Sequence, residues 1–156
     1  MRQSIVFLAL AAGLAPTTLA QPKPIAVHEH EAGDVDVALM EVKRTSGNTI
    51  TVTWEYRNKS KQPRQLTKER TGWYDPYRLS AGSYLADAPN KMKYELLKDD
   101  ERRPIAAKVG NPNQYITIKP LGKIVNWAKY PAPPPNVKTV TVIIEGVQPF
   151  EDVTIQ

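Results

Sequence analysis

The chain has no cysteine, which removes thiol nucleophiles, thiolate metal sites and disulfides together. Whatever fold forms must be held by packing alone. Histidine is almost as scarce, and the two present, His28 and His30, both lie near the N-terminus. A Ser-His-Asp arrangement would have to recruit one of them, and no G-x-S-x-G sequence accompanies the serines. A glycine-rich loop of the kind that cradles phosphate is also missing. Fourteen prolines against three methionines disfavour long helices and favour short segments with hard stops. No internal repeat is present. Catalysis is left with carboxylates such as Asp99 with Glu101, or Glu151 with Asp152, which sit in turn-like sequence and read as solvent-facing groups. Neither a cofactor nor a metal is expected.

What is present begins with the compartment. Residues 1–3 are a short positive start, and residues 4–15 form a mostly apolar run, too short to cross a hydrocarbon layer of about 30 Å as a helix. Residues 16–20 supply small side chains around a cleavage point after Ala20. A signal peptide over 1–20 is therefore expected, with a periplasmic or secreted product and no transmembrane segment after cleavage. The rest suits one domain with an ordinary core, since 41% hydrophobic and 24% charged residues are near globular averages. The net charge of +5 fits contact with anionic envelope polymers and is too small to suggest nucleic acid.

Residues 21–33 read as an extended leader, mobile in part, before a domain over 34–156. Within the leader, His28-Glu29-His30-Glu31 sets two imidazoles on one side of an extended chain, as two metal ligands require. No third ligand is fixed nearby, so a solvated polar segment is expected. Over 34–45, Val35, Val37 and Leu39 share one face, and Ala38, Met40 and Val42 the other. After Ser46-Gly47-Asn48 comes the clearest strand, 49–58. There Ile50, Val52, Trp54 and Tyr56 alternate with Thr49, Thr51, Thr53, Glu55 and Arg57, and the two strands form a hairpin. A second hairpin is expected from 83–87 and 92–98, with Tyr84, Ala86, Met92, Tyr94 and Leu96 inward. Short strands follow at 105–109, 115–119 and 124–130, the last carrying Trp127 as a core or rim aromatic. The proline-rich link 131–135 leads to strands at 137–144 and 150–155, with Val140 and Val142 on one face. The expected fold is all-β, an antiparallel immunoglobulin-like sandwich of about seven to eight strands without a disulfide, with a small barrel as the alternative closure.

Three stretches, 84–87 (YLAD) followed by 90–99 (NKMKYELLKD), 133–142 (PPPNVKTVTV) and 149–155 (PFEDVTI), resemble the immunoglobulin-like modules of bacterial envelope proteins. These include modules that precede an OmpA-like peptidoglycan-binding domain. The resemblance implies a stand-alone envelope module that works by binding. With residue 156 read as the end of the module, peptidoglycan anchoring is not expected.

The stretch that stands out chemically is the connection 57–77, where Lys61, Arg64, Lys68 and Arg70 run into Trp73, Tyr74 and Tyr77. Cations attract anionic polymers from a distance, and exposed rings stack on sugars and form binding hot spots. The competing reading folds the three rings back as a lid on the core while the cations keep the loop soluble. The expected function is a non-catalytic exported module that binds a protein partner or an anionic envelope polymer through loops or a free strand edge. An inhibitor or immunity-type protein that blocks a secreted enzyme is the alternative, and a carboxylate-dependent hydrolase a third.

Overall fold

The computed structural model describes residues 22–70 and 75–156. Among these, the elements in order are β1 (Ala26–Glu29), β2 (Val35–Thr45), β3 (Thr49–Asn58), β4 (Arg64–Gln65), α1 (Arg78–Ala81), β5 (Tyr84–Asp87), β6 (Met92–Glu95), β7 (Thr117–Ile118), β8 (Lys123–Pro131), β9 (Thr139–Ile143) and β10 (Phe150–Thr154). One sheet has the order β1-β2-β3-β8, a second the order β10-β9-β5-β6, and β4 with β7 makes a two-stranded ribbon. Every strand pair is antiparallel. No helix among the described residues is long and apolar enough to cross a membrane.

The β2–β3 hairpin is the frame, and the alternation in β3 survives intact: Ile50, Val52, Trp54 and Tyr56 are buried while the residues between them are half exposed. These side chains meet Leu85, Val140, Val142 and Phe150 of the other sheet in one core. The expectation of an antiparallel all-β fold without cysteine therefore holds. The strands outnumber the seven to eight expected because the leader supplies β1 and the long connection supplies β4.

Two face assignments are corrected. In β2 the register shifts between Leu39 and Glu41, and this one-residue bulge reverses the alternation beyond it. Val42 thus joins Val35, Val37 and Leu39 on the core side, paired with Val52, instead of sharing a face with Ala38. In β5 the inward residues are Leu85 and Asp87, not Tyr84 and Ala86, and Met92 is exposed. Leu85 lies between Val142 and Tyr94 in the centre of its sheet. Burial of Asp87 is tolerated because its carboxylate accepts from Asn90 Nδ2 at 2.7 Å and holds the following turn.

The shorter segments depart from expectation: β6 ends at Glu95 instead of 98, and β7 spans only Thr117–Ile118 of the expected 115–119. Residues 105–109 form no strand but lie along the outer edge of β8, where Ala107 N–H donates to Trp127 O and Lys129 N–H to Ile105 O. That covers an edge that would otherwise be open to pairing. The proline-rich link is pinned by Arg44, whose guanidinium donates to the carbonyls of Pro133, Pro134 and Val137. Helix α1, only one turn long, sets Ser80 and Ser83 against β8: Asn126 Nδ2 donates to Ser80 Oγ at 2.9 Å, and Ser83 Oγ lies 2.6 Å from the Tyr130 hydroxyl. Burial pushes the Tyr130 phenol up to about 12, so it remains a neutral partner at any physiological pH.

Candidate functional site

The connection that looked like one cationic patch is divided among separate contacts. Arg64 pairs with Asp34, Lys68 Nζ lies 3.2 Å from Glu31, and the Arg70 guanidinium sits over the Tyr115 ring at 5.5 Å. Tyr77 is buried in the core cluster with the Lys108 ammonium 6.0 Å from its ring. Trp73 and Tyr74 lie outside the described residues. Among the described residues, Lys61 is the one cation of the expected set that is exposed with neither an ion pair nor a ring contact. The described cations of this stretch are not brought together as one patch, because acids near the β1–β2 turn, invisible as partners in sequence, take up two of them. Such surface pairs contribute about 0–1 kcal/mol each, so they orient the connection more than they stabilise it.

The leader histidines sit where an extended chain puts them, on one inward-facing side, His28 within β1 and His30 just beyond it. His28 stacks on Phe150 with ring centroids 4.4 Å apart, and its Nδ1 donates to Gln148 O at 3.0 Å. His30 is buried and meets Tyr56 edge-on. Its Nδ1 accepts from Ala32 N–H, which leaves the proton on Nε2. Nε2 faces the backbone of Gly146, where a bridge from His30 to Val147 and the bond from Glu31 N–H to Gly146 O fasten β1 to the β9–β10 turn. Among the described residues no three His, Asp or Glu side chains converge as a metal site. This corner is a latch between the two sheets.

Burial holds the His30 ring below its ordinary value of 6.5 despite the opposing pull of Glu31 and Glu145, with Lys68 adding to the lowering. The unfolded chain therefore takes up this proton at a pH where the folded chain does not. The stabilisation is complete above 6.5 and is lost as pH falls from there to the lowered folded value. Urea unfolding at pH 7.5 and 5.5 should show a loss on acidification that is smaller in His30→Gln; equal losses would remove His30 from the acid response.

A second assembly lies at one end of the first sheet, where Asn58 closes β3. Its Nδ2 donates to Gln62 O at 2.7 Å and Lys119 O at 3.0 Å, while its Oδ1 accepts from Ser60 N–H at 2.9 Å. Backbone bonds from Asn58 N to Gly122 O and from Leu121 N to Ser60 O complete the join, each at 3.0 Å. The loops 58–62 and 118–122 are thereby made into one rigid tip. It carries Lys61 and Lys119, both exposed and without a partner among the described residues, with Lys123 at the start of β8 and Leu121 at 68% exposure. Lys119 and Leu121 were not among the residues singled out from sequence. The available signal was the turn Lys119-Pro120-Leu121-Gly122-Lys123, an apolar side chain set between lysines.

No protein-family model matches the chain, and no curated protein or solved structure matches it significantly.

Proposed function

We propose that the chain is an exported, non-catalytic envelope module, an immunoglobulin-like sandwich that engages an anionic envelope component through the tip formed by loops 58–62 and 118–123. The apolar run at 4–15 and the small residues before Gln21 support export. The observation that carries the binding reading is the bracing of Lys61 and Lys119 by one buried asparagine. Two cations without partners among the described residues, on loops that cannot drift apart, lose little entropy when they meet phosphate or carboxylate groups. By contrast, the histidines an enzyme would use are occupied in the latch between the sheets.

Lys61 and Lys119 replaced together by alanine should weaken binding to an anionic envelope fraction by about tenfold or more, at about 1 kcal/mol per lysine. The salt dependence of binding should fall with it. Co-sedimentation of the two proteins at low and physiological salt measures both, and binding unchanged in the double variant would take the tip out of the function.

A further inference from the structure

We infer that the tip and the outer face of β8 together form a docking surface for an anionic lipid bilayer. This rests on the tip taking an anionic partner and identifies that partner's source. Along β8, Ile124, Asn126, Ala128 and Tyr130 turn inward, while Lys123, Val125, Trp127 and Lys129 turn outward. Val125 is 48% exposed, Trp127 37% and Leu121 68%, so three large apolar side chains follow one another along a single exposed face. Lys119, Lys123 and Lys129 alternate with them. Leucine and tryptophan flanked by lysines is the composition of surfaces that settle at the lipid headgroup boundary, the apolar groups entering the acyl region and the ammonium groups meeting phosphates.

A second observation is independent of that pattern. Leu121 has φ of 52°, in the left-handed region where a leucine is disfavoured and glycine or asparagine is at ease. The strain holds an apolar side chain out into water at the projecting end of the tip, an arrangement that gains only if something apolar receives it. The acids on this face do not oppose an anionic partner. Glu55, opposite Val125, is held by Arg57 at 2.9 Å and by Lys123 at 3.5 Å, and Glu41 lies 3.9 Å from Lys43. A soluble polyanion would use the lysines but leave Leu121, Val125 and Trp127 without a role.

The test uses the chain from Gln21, which keeps every described residue and omits the apolar run 4–15. Co-sedimentation is measured with phosphatidylglycerol-containing vesicles, with phosphatidylcholine vesicles and, separately, with soluble dextran sulfate. Binding to the anionic vesicles is expected, weakened about tenfold in Leu121→Asn and again in Trp127→Thr. Leu121→Asn should at the same time raise the thermal midpoint by about 2–4 °C, because asparagine accepts the left-handed backbone; this separates lost binding from lost folding. Vesicle binding that ignores both substitutions overturns the inference and leaves a purely ionic tip. Binding to dextran sulfate without binding to vesicles overturns it too, while the anionic reading stands; binding to neither removes both. A concentration-dependent dimer abolished by Trp127→Thr would instead make this face a contact between copies of the chain.

Discussion

Replacing Gly146 with alanine is expected to destabilise the fold by about 2–5 kcal/mol. Two effects add at this position. The backbone is at φ +76°, where any side chain is strained, and an added Cβ would lie 2.7 Å from His30 Nε2 and 3.2 Å from Glu31 Cγ. The first effect costs about 1–2 kcal/mol and the second, a form of overpacking, about 1–3 kcal/mol. Neither neighbour can retreat without loss: His30 is buried against Tyr56, and Glu31 N–H is bonded to Gly146 O. Gly33 provides the control, because it also has positive φ, +69°, with nothing within 4 Å of an added Cβ. Chemical unfolding of Gly33→Ala and Gly146→Ala therefore separates the backbone cost from the collision. Equal losses in the two variants would mean that the His30 latch is loose.

Asn58→Ala should cost about 2–4 kcal/mol, through the loss of three hydrogen bonds at about 0.5–1.5 kcal/mol each. Alanine removes the bonds to the Gln62 and Lys119 carbonyls and the one from Ser60 N–H at once. Asn58→Asp discriminates between a packing role and a hydrogen-bonding one. Aspartate keeps the shape but cannot donate, so it places a carboxylate against two carbonyl oxygens and should be at least as damaging. Hydrogen exchange gives a local readout, because the Leu121 and Asn58 amides, bonded across the two loops, should lose protection when the tip separates. Binding to an anionic surface should decline in parallel, since Lys61 and Lys119 no longer share a frame. An Asn58→Asp variant as stable as the parent would show that the side chain merely fills space.

The strands that could be read in the sequence are those whose periodicity is uninterrupted. Residues 49–58 show one alternation from end to end, and the observed strand has the same bounds. Over 34–45 the pattern was read correctly only as far as Leu39, because a bulge leaves no mark where apolar residues occupy both faces, as from Val37 to Met40. Tyr84 and Ala86 were assigned inward by the same rule. They turn outward because β5 is a central strand whose register is decided by Val142 and Tyr94 on its two flanks. The candidate site was less legible still. Lysines, arginines and aromatic residues between 57 and 77 could be counted, but their partners could not.

Alternation, turn residues and the lack of cysteine were sufficient, without any coordinates, to establish antiparallel strands packed without disulfides, because the two-residue period of a strand is a property of local covalent geometry. Only the tertiary structure decided that His30 meets Gly146, that Lys68 is spent on Glu31, 37 residues away, and that Asn58 reaches Lys119 across 61 residues. Contacts over such separations depend on where the chain returns, and that is settled by the packing of both sheets at once.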